Sequence, residues 1–174
     1  QYISPEVLEW HFWDVFVVDA LLGNFDRHNG NWGFLFDEKT GESSIAPIYG
    51  CGSCLLPQAD EKIMNEVLSN EDALHPRIYL YPTSAIKQND RKINYRDFLM
   101  SAEYESCSEA VKRIVHRIDM EVISEFIDST PYLSDLQRAF YKHYIKARYN
   151  LILVPAFDLA DSLEQEPNKP IMGM

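Results

Sequence analysis

The first strong pattern in the chain is an apolar segment that lies between a serine and a glycine. Ser4 can cap a helix, Pro5 suits its first position, and Gly23 can end it. The apolar residues between them cover much of the helix circumference: Val7, Leu8, Trp10, Phe12, Val15, Phe16, Val18, Leu21 and Leu22. A helix that is apolar on most sides is typical of a buried element, so we expect a buried first helix.

Two short apolar runs separated by a polar turn predict a β-hairpin after this helix. The runs are residues 32–36 and 44–49, and the turn at 37–42 contains Gly41. Pro47 has no N–H to donate to a strand ladder. It therefore confines the second strand to an edge or to its own end.

The rest of the chain has mostly helical spacing. The expected helices are residues 61–69, 95–102, 108–117, 121–128 and 135–153. The last should begin with a capping box at Ser134 and Gln137 and end before Pro155. Residues 70–91, which contain Pro76, are expected to form an irregular surface connection, and residues 164–174 a flexible tail. The predicted fold class is mainly α with one β-hairpin.

Composition narrows the classes of function. The chain has 174 residues and a formal charge of −11, with 16 Lys and Arg against 27 Asp and Glu. It suits one domain, and it lacks the clustered cations that direct binding of nucleic-acid phosphates requires. No segment reaches the roughly 18 apolar residues of a membrane span, and no leader is evident. Three cysteines fit a reducing compartment, so we expect a soluble, cytoplasmic protein without membrane contact.

The glycines mark the segment that carries the chemistry. Six of the seven lie between positions 23 and 52. Within this window, residues 26–31 bring together an acid, a cation, a base and two amides: Asp26, Arg27, His28, Asn29 and Asn31. On composition alone, capped turns and a structural Arg–Asp pair explain this segment equally well.

The spacing favours phosphoryl transfer. That chemistry needs a carboxylate within reach of the attacking hydroxyl and, a few residues later, an amide oxygen for magnesium. Asp26 and Asn31 are five positions apart and meet both needs. The predicted hairpin should then return residues 48–50 to their side, where a second metal-binding carboxylate is needed.

Residues 26–35, followed by 45–49, resemble the C-terminal lobe of HipA-like serine/threonine kinases over about residues 15–56. The shorter run from Asp26 to Asn31 is also similar to the catalytic loop of phosphatidylinositol 3-/4-kinase-like enzymes. The hairpin length and the Ala-Pro-Ile-Tyr run favour the HipA-like side. The resemblance implies a helical C-lobe at residues 1–163 whose hairpin carries the catalytic and metal loops, while the N-lobe is absent from this chain.

The same resemblance implies roles for individual residues. Asp26 would be the catalytic base, and Asn31 would bind Mg²⁺ and, through it, ATP. His28 would support the loop, or lie nearer the chemistry in a lipid-kinase-like site. Arg27 would be a structural ion-pair partner. The implied reaction is phosphoryl transfer from Mg-ATP to a hydroxyl of a protein substrate.

Two departures from the family pattern predict an impaired enzyme. Gly50 stands where the family places a metal-binding Asp after the Pro-x-Tyr run, and magnesium has few substitutes for a carboxylate. No glycine-rich phosphate loop with its lysine occurs either. The alternative is therefore a non-catalytic kinase-like domain that binds a protein regulator or an antitoxin.

The pair Cys51 and Cys54 suggests other chemistry that its context does not favour. Leu55 replaces the aromatic residue of the papain-type signature, and Pro57 interrupts the helix that would carry the nucleophile. A redox pair needs a βαβ setting, and zinc needs two more ligands. Two small residues in a tight turn are the favoured interpretation.

Overall fold

The computed structural model of the protein describes residues 3–165, and its architecture is mainly helical, as predicted. Within these residues the elements are α1 (Pro5–Leu22), β1 (Phe34–Asp37), β2 (Glu42–Ile45), α2 (Glu61–Ser69), α3 (Glu71–Tyr79), β3 (Lys87–Gln88), β4 (Arg91–Lys92), α4 (Tyr95–Ser101), α5 (Glu105–Val115), α6 (Met120–Ser129), α7 (Asp135–Arg148) and α8 (Val154–Gln165). A 3₁₀ turn at Asn29–Asn31 and a π-helical turn at Tyr149–Leu153 complete them. None of the described helices is both long and apolar enough to cross a membrane.

Helix α1 begins and ends where the sequence predicts. The Ser4 hydroxyl accepts a hydrogen bond from the Val7 N–H, and Gly23 ends the helix with a left-handed φ of 66°. The prediction of burial holds only from Trp13 onward, and the helix packs against α5, α7 and the π-helical turn. Trp10, in the first half, is 60% exposed.

The core lies around the second half of α1. Phe16 packs against Tyr95 from α4, with ring centroids 5.2 Å apart, and Trp13 stacks on Phe98 at 5.7 Å. Helices α5 and α7 and the π-helical turn supply much of the remaining buried apolar surface, including Val111, Phe140 and Leu153. Burial on this scale stabilises the fold by about 25 cal/mol per Å² of apolar surface removed from water. The rigid end of α1 therefore provides a firm base for the loop that follows it.

The predicted hairpin forms, but its second strand lies earlier than expected. Strands β1 and β2 are antiparallel, and Phe34 faces Ile45 while Asp37 faces Glu42. The Gly41 N–H donates to the Asp37 carbonyl and closes the turn. The second strand therefore begins at Glu42, which pairs with Asp37. Pro47 therefore lies beyond the ladder, in agreement with its lack of an N–H.

The prediction that residues 70–91 form an irregular connection is wrong, because this region has regular structure. They contain helix α3 and a second, two-residue hairpin, β3–β4. The Asn70 side chain caps α3 by accepting a hydrogen bond from the Asp72 N–H, and Pro76 is tolerated inside this short helix. Asn89 and Asp90 both have left-handed φ values, of 51° and 63°, which a tight two-residue hairpin turn requires.

The C-terminal helix also differs from the prediction, because it continues past Pro155. Helix α7 begins with the expected capping box of Ser134 and Gln137 and ends at Arg148. The π-helical turn then shifts the bonding pattern, and the Val154 N–H donates to the Tyr149 carbonyl. The missing N–H of Pro155 falls at this break, where it costs little. Helix α8 includes the first two residues of the expected tail, and residues 166–174 lie outside the described part of the chain.

The other predicted helices occur with small shifts at their ends. Helix α2 matches the predicted 61–69, and α4 ends one residue before the predicted 102. Helix α5 begins three residues earlier than predicted and ends two earlier, while α6 is one residue longer at each end. Shifts of this size are common at helix termini, where local signals compete.

Candidate active site

The loop after α1 is fixed by a buried ion pair. The Arg27 Nε lies 2.7 Å from Asp19 Oδ2, and its Nη2 lies 2.9 Å from Asp19 Oδ1. Both side chains are only 2% exposed. The Asn24 Nδ2 donates a further hydrogen bond to Asp19 Oδ1 at 2.9 Å. The structural ion pair expected for Arg27 thus forms with Asp19, in the paired geometry that a guanidinium and a carboxylate favour.

Arg27 also joins the loop to the segment that leaves the hairpin. Its Nη1 donates to the Tyr49 carbonyl and lies 3.5 Å from the Asn31 carbonyl, while Nη2 lies 3.6 Å from Cys51 Sγ. Hydrogen bonding to the Asp19 carboxylate raises the pKa of Arg27 above its already high ordinary value. A permanent cation therefore holds residues 26–31 against residues 49–51.

The structure brings the predicted catalytic-loop residues together. The Asn31 Nδ2 donates to the Asp26 carbonyl at 2.7 Å, and the Asn24 Oδ1 accepts from the Asp26 N–H at 3.2 Å. These bonds fix the Asp26 backbone on both sides while its side chain remains exposed. His28 is also exposed, and its Nδ1 accepts a hydrogen bond from the Gly30 N–H at 2.9 Å. His28 thus shapes the 3₁₀ turn that leads to Asn31, and the roles of the three residues in catalysis stay predictions.

Gly50 returns to Asn31, as the hairpin predicts, but in very close contact. A Cβ atom added at Gly50 would lie 2.4 Å from Asn31 Cγ and 2.5 Å from Asn31 Oδ1. Gly50 also has a left-handed φ of 74°, which other residues rarely adopt. Any side chain at this position therefore requires Asn31 to move and the local backbone to change.

The residues present do not complete a magnesium site. The Asn31 amide supplies one neutral oxygen, and Gly50 offers no side chain beside it. Within residues 3–165, no group of three or more His, Cys, Asp or Glu residues could hold a metal ion. Magnesium at phosphate-transfer sites is usually held by one or two carboxylates together with water and substrate phosphates. Position 50 therefore contributes no carboxylate beside the Asn31 amide.

Three residues that fix the loop escaped the sequence analysis. Asp19 and Asn24 are buried beneath the loop, and the Tyr95 hydroxyl donates to the Asn24 carbonyl at 2.5 Å. Asp19 lies in the apolar half of α1, where an acid needs a partner, and this was the available signal. Tyr95 lies 71 positions after Asn24, so nothing local indicated their contact.

Residues 51–60 pass beside the catalytic loop in a strained conformation. Leu55 and Leu56 have left-handed φ values of 60° and 52°. For a residue with a Cβ this conformation costs about 1–2 kcal/mol. The Leu55 N–H donates to the Leu22 carbonyl at 2.8 Å, which ties the segment to the end of α1.

The two cysteines of this segment form the tight turn that the sequence favours. The Cys54 N–H donates to the Cys51 carbonyl at 3.1 Å, and all three cysteines are free thiols. Burial raises the pKa of the Cys54 thiol to about 12. A thiol that ionises so weakly is a poor nucleophile, so Cys54 is not the activated thiolate of a redox motif.

Comparison with known proteins gives one consistent result. No protein-family model matches the sequence. The serine/threonine-protein kinase CtkA of Helicobacter pylori is 50% identical over 153 residues, which are 87% of this chain and 47% of that protein. The crystal structure of a Helicobacter pylori proinflammatory kinase, CtkA, matches with a TM-score of 0.90 and 49% identity, covering 94% of this chain and 55% of that one.

The chain thus spans about half the length of the relatives that it matches. Over that half, the order of helices and hairpins is shared closely enough to superimpose almost throughout. The chain therefore has the helical fold of a kinase-like C-terminal lobe.

Proposed function

We propose that this chain is the C-terminal lobe of a HipA-like serine/threonine protein kinase, with Asp26 as the catalytic base. The observation that carries the proposal is the hydrogen bond from the Asn31 amide to the Asp26 carbonyl, with Gly50 packed against the Asn31 side chain. Three positions that phosphoryl transfer requires thus lie at one point of the fold. The similarity to CtkA supports the same reaction.

In the proposed reaction the loop accepts one proton and holds the reacting groups in position. The exposed Asp26 carboxylate accepts the proton of a serine or threonine hydroxyl as that oxygen bonds to the γ-phosphorus of ATP. The bond from phosphorus to the bridging oxygen breaks, and ADP leaves. His28 contributes by shaping the turn at Gly30, and Arg27 and Asp19 hold the loop in place. Positioning of this kind is the main part of catalysis in phosphoryl transfer.

We further propose that the chain is impaired as it stands, because position 50 lacks the carboxylate that would complete the metal site. In this proposal the ATP phosphates also require an N-terminal lobe, and the chain itself spans 47% of CtkA. The proposed acceptor is a protein hydroxyl, as the name of the serine/threonine-protein kinase CtkA suggests, and the net charge of −11 disfavours direct contact with nucleic acid. A cytoplasmic location is part of the same proposal.

A second candidate function is a non-catalytic domain that binds a protein regulator, such as an antitoxin. Gly50 favours it, and so does the apolar hairpin, where Phe34 and Phe36 are 63% and 65% exposed. Exposed apolar patches of this kind often mark surfaces that bind proteins. This function requires no nucleotide, and a measurement of ATP binding therefore separates the two.

The proposal is tested with a fused kinase, defined as CtkA in which this chain replaces the matched segment. Isothermal titration with ATP should show weak or no magnesium-dependent binding for the fused kinase. After Gly50→Asp it should show clear magnesium-dependent binding, with the Asn31 side chain shifted to admit the new carboxylate. Unmodified CtkA is the positive control. Absence of magnesium-dependent ATP binding by a folded Gly50→Asp protein would contradict the kinase proposal and favour the regulator-binding domain.

A further inference from the structure

We propose that an apolar groove beside the catalytic loop binds the acceptor protein through a bulky apolar side chain close to the phosphorylated hydroxyl. An acidic residue next to that side chain would contact the groove's cation. The proposal rests on the proposed function and names the class of substrate that the site selects. The groove has a volume of about 380 Å³, and its walls include Phe25, Leu56, Ala59, Ile63, Tyr81 and Pro82.

The groove lies within reach of the proposed base. Phe25 lines it and directly precedes Asp26, and consecutive Cα atoms are about 3.8 Å apart. An extended peptide advances about 3.3 Å per residue. A segment with its hydroxyl at Asp26 therefore places a side chain one to three residues away over the groove.

The segment that forms one wall has the strain typical of functional sites. Leu56 lines the groove and has a left-handed φ, as does Leu55. Strained backbone persists where the surroundings determine it, and it is concentrated at ligand sites. Ala59 completes this wall with a small side chain, which leaves the groove open.

The charge of the groove indicates the second feature of the acceptor. Arg77 lines the groove, and its guanidinium lies 5.9 Å from the centre of the Tyr81 ring. Arg77 is the one charged residue among the described residues that line the groove, and its Nη1 also donates to the Ala73 carbonyl. A carboxylate next to the apolar side chain would complement Arg77.

The test measures peptide binding by the 174-residue chain, without ATP. Fluorescein-labelled peptides carry one Ser, with one Phe moved through the three positions on either side of it and an Asp next to the Phe. Fluorescence anisotropy should show one preferred Phe position. At that position, replacing Phe by Ala or Asp by Lys should weaken binding about tenfold or more.

Protein variants locate the binding to the groove. Ala59→Trp fills it and Tyr81→Ala removes a wall, so each should weaken binding of the preferred peptide about tenfold. Tyr132→Ala, at a tyrosine that is 93% exposed elsewhere, is the matched control and should have no effect. Arg77→Gln should remove the preference for Asp over Lys, whereas Lys62→Gln, at an exposed lysine on α2, should preserve it. Circular dichroism verifies that each variant is folded.

Several outcomes would overturn the proposal. They are equal binding at all Phe positions, equal binding of the Phe and Ala peptides, and groove variants that behave like Tyr132→Ala. Because the assay needs no nucleotide, its failure is distinct from failure of the kinase proposal. Selective peptide binding, together with no magnesium-dependent ATP binding by the folded Gly50→Asp form of the fused kinase, would contradict the enzyme and leave the groove as a protein-binding site.

Discussion

Replacing Asp26 by Asn in the Gly50→Asp form of the fused kinase is expected to lower phosphotransfer by about 10²–10⁴-fold. Asn keeps the shape of the side chain but cannot accept the hydroxyl proton. Folding should be unaffected, because the Asp26 side chain is exposed and the loop is held through the main-chain groups of Asp26. The rate is measured as incorporation of labelled phosphate from ATP into protein.

A matched substitution shows whether the loss is specific. Asp158→Asn removes an exposed carboxylate from α8 and should leave the rate unchanged. Equal thermal melting of the two variants would show that the fold is intact. If Asp26→Asn retains the full rate in such a protein, the base is another residue.

Replacing Arg27 by Met is expected to lower the free energy of unfolding of the chain by about 3–5 kcal/mol. The substitution leaves the Asp19 carboxylate buried without its cation and removes the bonds from Arg27 to Tyr49 and Asn31. Urea denaturation followed by circular dichroism measures the change. The double variant Asp19→Leu with Arg27→Met should lose less than Arg27→Met alone, because no uncompensated charge then stays buried.

A second ion pair provides the control for burial. Arg113 and Asp14 lie 2.6 Å apart, but their side chains are 26% and 28% exposed. Arg113→Met should therefore cost about 1 kcal/mol or less. If Arg27→Met costs no more than Arg113→Met, the buried pair does not anchor the loop.

Local signals explain which parts of the fold could be predicted. Ser4 and Gly23 determine the ends of α1 through their own backbone and side-chain bonds, so neighbouring residues were sufficient. Pro76 and Pro155 misled the prediction because proline usually ends a helix. The π-helical turn before Val154 places Pro155 at a break in the bonding pattern, whereas Pro76 lies inside α3, whose first turn is capped by Asn70. Such compensations depend on the detailed bonding pattern, which hydrophobic periodicity does not report.

The candidate site, like the fold, could be predicted from the sequence only in part. The spacing of Asp26 and Asn31 and the return of the hairpin to position 50 were evident from the sequence. The close packing of Gly50 on Asn31 was not, because it depends on how the loop and the hairpin exit are held by Arg27. Position 50 thus lacks the space for a side chain as well as the negative charge of a metal-binding carboxylate.

The central claim is that this lobe has a kinase catalytic loop that lacks its metal-binding carboxylate at position 50. Labelled phosphate transfer by the fused kinase tests it most directly, with Gly50, Gly50→Asp and Gly50→Ala compared at equal concentrations of folded protein. Asp and Ala place the same Cβ atom against Asn31, so only the carboxylate distinguishes them. We expect little transfer with Gly or Ala and at least about a hundredfold gain with Asp. Full transfer by the Gly50 protein, or equal rates for the Asp and Ala variants, would contradict it.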